Sequence, residues 1–307
     1  MMIDNGIRDI PLQTEGRKKN GQYLAAGVLL ALSALLTWSL ADNSNMQWSV
    51  AGSYLFNADI LTGLVNTIVL TVVCMMGGTV LGTLIAIIRL SSNPVLRTVA
   101  WVYIWIFRGT PLLVQLIFWY NLALIFPVLG IGIPFTDIST STPTNAIVTA
   151  LVAAVLGFTL NEAAYMAEIM RSGISSVDPG QREAALSSGM TESKAMRRIV
   201  LPQAMRVIVP PTANQAISML KNTSLVAFIS GGDILSRVQN IYAVNFKVIP
   251  LLLAALFWYL MVTTVASIGQ YYLEKSVGKG FTSFSPDQVD VLPVDVQNAP
   301  VKSIDWK

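Results

Sequence analysis

Long apolar stretches, each closed by charged or turn-forming residues, succeed one another along most of this chain. Tyr23 to Ala41, Leu64 to Leu90, Val99 to Pro127, Asn145 to Met170 and Pro250 to Tyr272 are each long enough to cross a bilayer as a helix. A sixth, Val207 to Ile229, is comparable in length but broken by polar residues, and the third is interrupted by Arg108-Gly109-Thr110-Pro111. The pattern predicts an all-α membrane protein with about six transmembrane helices. The first stretch follows Arg17-Lys18-Lys19 and ends near small residues, so it reads either as a cleaved signal peptide or as a retained span. Its length exceeds a usual signal core, which favours a retained span at 21–41 behind a short tail, 1–20. Beyond Phe281 the apolar periodicity stops, and Pro286, Pro293 and Pro300 among Asp and Ser predict a flexible tail over 282–307.

Composition sharpens this picture. Of 307 residues, 53% are hydrophobic and 12% charged, and the mean hydropathy of +0.60 lies beyond ordinary soluble domains. There is no histidine and one cysteine, Cys74, which leaves no material for disulfides, His-based acid–base catalysis or a His/Cys metal site. No catalytic residue and no metal ligand is therefore assigned.

The charge distribution orients the bundle, because basic residues stay on the cytoplasmic side during insertion. With six spans and the N-terminus inside, sixteen of the twenty Lys and Arg lie at inner ends or in inner loops, and only Arg237 and Lys247 fall clearly outside. Both termini are then cytoplasmic, and so is the polar segment 175–205.

That segment carries the most information. Asp178-Pro179-Gly180-Gln181 forms a turn, and Asp178 can cap the helix that Glu183-Ala184-Ala185-Leu186 begins. Gly189 breaks it, and Thr191-Glu192 supply a cap and a first-turn acid for a second short helix from Ser193 to Ile199. Pro202 is expected to end that helix and restart the chain toward the membrane. A bent helix pair with a small Ala face suits docking against a partner. The same residues also suit an interfacial helix whose Lys194, Arg197 and Arg198 hold lipid headgroups.

The spacing Glu183-Ala184-Ala185, Gly189, Ile199, Leu201-Pro202 resembles the E-A-A signature of the inner-membrane subunits of bacterial ATP-binding-cassette importers. Arg108 to Gln115, Ala164 to Ile169 with Arg171, Gly173 and Ile174, and Leu201-Pro202-Gln203-Ala204 are similar to the polar amino acid permeases, the histidine and glutamine branch. The likeness covers about residues 62–281. It implies a five-helix type I importer core with one N-terminal helix added, in the bacterial inner membrane, handling a polar amino acid. It also implies partners: a cytoplasmic ATPase dimer, a second permease half (another copy or a paralogue) and an extracytoplasmic amino-acid-binding protein, with the lipid bilayer around the spans and no nucleic acid. ATP and Mg would bind the ATPase and no cofactor this chain, which lacks G-x-x-x-x-G-K-[ST]. By the same likeness Glu183, Ala184, Ala185, Leu186, Gly189, Arg197 and Pro202 belong to a coupling helix seated in the ATPase.

A zwitterionic substrate within the membrane needs polar partners, and intramembrane polar residues are costly unless used. The stretch Val207 to Ile229 supplies Asn214, Gln215, Ser218 and Lys221; Asn214, Ser218 and Lys221 share one helical face at i, i+4 and i+7, with Gln215 beside it. Asn214 and Gln215 are expected to meet the amino and carboxylate groups with Ser218 as support, and interhelical bonding is the competing role. Lys221-Asn222-Thr223-Ser224-Leu225 departs from the family's commoner Lys-Asp-Thr-Ser-Leu and so removes an adjacent acid from Lys221. In the fourth stretch Glu162 lies deep enough to balance a cationic substrate, while Glu168 and Arg171 read as a structural ion pair. Arg108 reads as a hinge beside Gly109 and Pro111, and Gln115 as a further pathway candidate. A proton-coupled secondary carrier is the alternative class, but it would be expected to show internal repeats and a titrating acid or His at the midplane. A membrane enzyme would need paired carboxylates at useful spacing, and none recurs.

Overall fold

The computed structural model describes residues 20–132 and 139–277; the terminal tails at 1–19 and 278–307 lie outside the described residues. The described chain divides into two compact units, 20–70 with 223–261, and 71–222 with 262–277.

The first unit opens with α1, Asn20–Ala41, whose apolar window is not buried at all by the protein. A helix that is apolar on every side and covered by nothing is one whose surroundings are themselves apolar. The short α2, Trp48–Tyr54, follows, and then the first half of α3, Ala58–Arg89. This unit's core joins Ile60 to residues of two later helices introduced below, including Ile234, Val238, Leu251 and Trp258. Polar bonds fix the packing. Trp258 Nε1 donates to the Leu55 carbonyl at 2.8 Å, Asn66 Nδ2 to the Gly232 carbonyl at 3.0 Å, and Asn245 Nδ2 to the Tyr54 hydroxyl at 3.2 Å.

The second unit begins with the remainder of α3. Asn93 accepts from the Val95 amide and, with Pro94 at the first turn, starts α4, Pro94–Gly109. Helix α5, Leu112–Tyr120, follows at a bend of 100°. Pro111 lacks an amide hydrogen and forces Thr110 into an extended conformation, so the helix cannot continue. Gln115 closes the break: its Nε2 lies 2.9 Å from the Phe107 carbonyl, 3.2 Å from the Thr110 carbonyl and 2.7 Å from the Thr110 hydroxyl. A β-hairpin comes next, β1 Val128–Gly132 antiparallel to β2 Ser139–Pro143, with Val128 opposite Pro143. It departs from the purely helical expectation.

After the single turn α6, Thr144–Ile147, Thr149 caps α7, Ala150–Ser175. This helix is the most enclosed of the spans and buries Phe158, Asn161, Glu162, Ala163, Met166 and Ala167, among others. It packs closely on α3 because three α3 positions have no side chain. A Cβ at Gly78 would lie 2.6 Å from Glu162 Cγ, and one at Gly82 would lie 2.6 Å from Met166 Cβ and 2.7 Å from the Ala163 carbonyl. At Gly77 the contact would be Thr159 at 3.0 Å. Then come α8, Pro179–Ser187, α9, Glu192–Ala195, a π-helical stretch Met196–Val200, and α10, Leu201–Asn222.

A 3-10 segment, Thr223–Ile229, returns the chain to the first unit, where Asp233 caps α11, Ile234–Asn245. Its carboxylate accepts from the Leu235 and Ser236 amides, the Ser236 hydroxyl and, at 3.1 Å, the Tyr259 hydroxyl. The last helix, α12, Val248–Val277, contributes to both units.

Among the described residues, α1, α3, α7 and α12 are long and apolar enough to cross a membrane, and the bent α4–α5 pair makes a fifth candidate. Against the expectation of about six spans, the interruption at Arg108 to Pro111 is a sharp bend between two helices, and the polar stretch Val207 to Ile229, divided between α10 and the 3-10 segment after it, does not qualify by composition because it carries Thr212, Asn214, Gln215, Ser218 and Lys221.

Two predictions follow from this packing. Gly82→Val forces α3 and α7 apart, and a loss of roughly 1–3 kcal/mol should appear as a lower unfolding midpoint in detergent. An unchanged midpoint would mean that the two helices are not held at this distance. Gln115→Leu removes the clamp at the bend and strips a donor from the Phe107 and Thr110 carbonyls, at a cost of about 1 kcal/mol. Protease cleavage near Thr110 should accelerate, and wild-type resistance would show that the clamp is dispensable.

Candidate functional site

Two groups of candidate residues lie in the second unit, one on α7 and α10, the other in the segment from α8 to the start of α10.

In the first group, Asn161 and Glu162 sit side by side on α7, 6% and 1% exposed, yet face different partners. Asn161 Nδ2 donates to the Phe107 carbonyl at 2.8 Å and to Gln115 Oε1 at 3.2 Å, joining α7 to the α4–α5 bend. Glu162 turns toward α10, where Gln215 Nε2 donates to its Oε2 at 3.1 Å. Its other oxygen, Oε1, is buried without a hydrogen-bond partner. A carboxylate so placed retains acceptor capacity beside a neutral amide that also presents a carbonyl oxygen. Its natural complement is a multiple N–H donor, an ammonium or a guanidinium.

Of the six residues expected to meet substrate, Glu162 and Gln215 are joined directly by a hydrogen bond between their side chains. Asn214 is exposed on the neighbouring face of α10, and Lys221 is exposed in its last turn. The Ser218 hydroxyl returns to its own helix, donating to the Asn214 carbonyl at 3.1 Å, so its side chain does not support Gln215 as expected. Gln115, expected as a pathway candidate, clamps the bend, with its nitrogen donating to the Phe107 carbonyl and the Thr110 hydroxyl and its oxygen accepting from Asn161. Glu168 and Arg171 do form an ion pair, with Nε to Oε2 at 3.0 Å and a second contact at 2.5 Å. Sequence reading missed the Gln215–Glu162 contact, since residues on different helices leave no fixed spacing. The available signal was Gly78-x-x-x-Gly82 in an apolar stretch, which marks a close helix contact and hence the face of α7 that meets α3.

The second group is a compact hairpin. Asp178 Oδ1 accepts from the Gly180 amide at 2.8 Å, and Pro179 opens α8. The helix ends in a Schellman turn: the Met190 amide reaches the Ala185 carbonyl at 3.1 Å and the Gly189 amide the Leu186 carbonyl at 2.9 Å. Gly189 there has φ +82, a conformation that favours glycine. Thr191 caps α9, accepting from the Lys194 amide at 3.4 Å. An ion pair missed from sequence braces the two helices, with Arg182 Nε donating to Glu192 Oε2 at 3.0 Å and Nη2 to Oε1. Ala185 and Ala195 are buried within the hairpin, whereas Glu183, Ala184, Gly189, Arg197 and Arg198 stay exposed and Leu186 is half-buried.

Pro202 does not end a helix. α9, the π-helical stretch and α10 run on without a break from Glu192 to Asn222. The π turn carries the chain across the proline, with the Leu201 amide reaching the Met196 carbonyl five residues back.

Comparison with known proteins gives concordant results. Residues 78–279 match the family of the binding-protein-dependent transport system inner membrane component. The arginine transport system permease protein ArgU of Corynebacterium glutamicum is 44% identical over 273 residues, 89% of this chain and 85% of its own length. The glutamate/aspartate import permease protein GltK of Escherichia coli is 36% identical over 221 residues, 70% of this chain and 92% of its own. Among solved structures, an amino acid ABC transporter with histidines aligns at a TM-score of 0.61 and 35% identity, over 72% of this chain and 95% of that one. The inward-facing MetNI methionine ABC transporter shares the fold at a TM-score of 0.55 with 17% identity, over 71% and 95%.

Proposed function

This chain belongs to the inner membrane components of binding-protein-dependent transport systems, and from that membership we propose that it carries a cationic amino acid inward past Glu162 and Gln215. It is a multi-pass permease subunit of an ABC importer, not an enzyme, and nucleotide binding belongs to a partner ATPase. Membership sets aside the proton-coupled secondary carrier.

The observation that carries the substrate reading is the half-satisfied carboxylate of Glu162, buried among apolar residues with one oxygen held by Gln215 and the other without a partner. Such a group is costly to keep unless a ligand meets it. A guanidinium or ammonium supplies donors to the vacant oxygen, and the Gln215 carbonyl takes a further N–H. The arginine permease ArgU supports the choice of cation over anion. Because Glu162 is 1% exposed, the substrate reaches it only after α7 and α10 separate, as alternating access requires. Asn214, exposed one position before Gln215, is placed to follow the substrate once that face opens.

The exposed Glu183 and Ala184, with Leu186, Gly189, Arg197 and Pro202 around them, form the surface on which the ATPase docks. A hairpin braced by a salt bridge and a Schellman turn transmits displacement better than a flexible loop. A second permease half and an extracytoplasmic binding protein complete the assembly, with both termini and the hairpin on the cytoplasmic side.

Glu162→Gln keeps the shape and removes the charge. In liposomes holding the assembled transporter it should cut arginine-driven uptake about 10- to 100-fold, the scale of one charged hydrogen bond. Wild-type arginine uptake by this variant would refute the cation site. Separately, Glu183→Lys and Gly189→Pro should leave membrane insertion intact while ATP hydrolysis no longer yields uptake. Full uptake by both would remove the hairpin from the docking role.

A further inference from the structure

A concavity of about 450 Å³ lies where the end of α3, the second half of α4 and the last turns of α7 meet. Arg89, Arg108 and Arg171 line it, and the sole carboxylate in its wall is Glu168. Glu168 is already spent on Arg171 in a two-point ion pair. Among the described residues no carboxylate lies within ion-pair distance of Arg89 or Arg108; Arg108 stands over the Tyr165 ring, 5.2 Å from its centre. The cavity therefore carries an excess of two positive charges.

Two tryptophans form its rim. Trp101 and Trp105 stack at 6.2 Å, one helical turn apart on α4, and are 50% and 63% exposed. Indoles in that setting belong at the level where acyl chains give way to headgroups. Arg89 and Arg171, at the ends of two spanning helices, mark the same level. Around α4 from the tryptophans runs a second, apolar concavity of about 470 Å³, lined by Pro94, Val95, Thr98, Val99 and Val102. A cationic cup with an indole rim and an apolar slot on the same helix has the layout of a charged headgroup joined to a hydrocarbon chain.

We infer that this cup binds the phosphate of an anionic phospholipid, with Arg89 and Arg108 as its ligands and the α4 slot taking an acyl chain. Guanidinium groups meet phosphate oxygens with two parallel N–H bonds, which a scattered surface charge does not offer. Basic pockets between spanning helices attract anionic lipid over zwitterionic lipid by the same electrostatics. The inference is independent of the transported substrate, since none of these residues touches Glu162 or Gln215 in the contacts described above.

The test uses the assembled transporter in nanodiscs of phosphatidylcholine with or without phosphatidylglycerol, and counts retained lipids by native mass spectrometry. Wild type should keep phosphatidylglycerol selectively, and the double variant R89Q/R108Q should hold it about thirtyfold less tightly, the effect of two lost charges at an anionic surface. R89K/R108K, which keeps the charges but not the paired N–H geometry, should hold the lipid more tightly than R89Q/R108Q and less tightly than wild type, and so separates lost binding from misfolding. Arg206→Gln, a basic change elsewhere on the exposed surface, should leave retention unchanged. Equal retention of both lipids by wild type, or of phosphatidylglycerol by wild type and R89Q/R108Q, overturns the proposal. So does displacement of the lipid by inorganic phosphate alone, which would make the cup a site for free phosphate. Loss of subunit assembly with lipid retention intact assigns it to a protein partner and overturns the proposal as well.

Discussion

Helix α7 lies where it does because α3 offers it no side chains at positions 77, 78 and 82. In lipid, helices gain little from burying apolar surface against one another, since the hydrocarbon around them is as apolar as their own side chains. Association then depends on close contact and on polar bonds, and both need the backbones to approach. The distances a Cβ would make, 2.6 Å at Gly78 and at Gly82, show that any larger residue at either position must push α7 away. The same approach encloses Glu162, because its stem is what covers Gly78. A carboxylate that α3 shields on one side and Gln215 holds on another sits apart from both lipid and water. The glycine contact and the buried charge are thus one feature.

A second constraint acts on the broken helix. Stopping a helix strands its last carbonyls, which then need partners from outside the helix's own ladder. The α4–α5 bend meets that demand locally, with Gln115 on the Phe107 and Thr110 carbonyls and Asn161 on Phe107 as well. Polar residues in these spans thus divide into two kinds. Gln115 and Asn161 repair the backbone, their amide N–H groups donating to the carbonyls at the bend and that of Asn161 also to Gln115. Glu162 repairs nothing.

That division also explains what could be read from sequence. Length and apolarity located α1, α3, α7 and α12, because a bilayer sets a minimum run that composition alone reveals. Asp178, Gly189 and Thr191 were legible because capping and left-handed turns depend on the residue at a single position. Pro202 misled for the complementary reason: a proline stops a helix only where its missing hydrogen is needed, and a π turn five residues long had already changed which carbonyls require one. Gln115 and Ser218 looked like ligands because a polar residue in an apolar run looks the same whether it serves a substrate or a neighbouring carbonyl. The brace between Arg182 and Glu192 and the contact between Gln215 and Glu162 cross from one helix to another, so their partners emerge only from the folded chain.

The unbroken helical path from Glu192 to Asn222 ties the two groups of site residues together. Arg197 beside the hairpin and Gln215 at the buried carboxylate stand on one helical path, about 27 Å apart along its axis at about 1.5 Å per residue. A displacement imposed at the hairpin therefore reaches Gln215 without crossing a loop. The path has two points where it can yield. The π turn at Met196–Val200 holds a looser bond pattern, and Pro210 and Pro211 each remove a hydrogen bond from the ladder just before Gln215. A perfectly stiff rod would have to carry the whole of α10 past α7 at once, against the packing of Gly173 on Ile208, where a Cβ would come within 2.3 Å. With a weak point above that contact, the half of α10 bearing Gln215 can swing while the lower half stays locked to α7. In the proposed transport motion, that swing would part the Gln215–Glu162 bond and free the oxygens of Glu162.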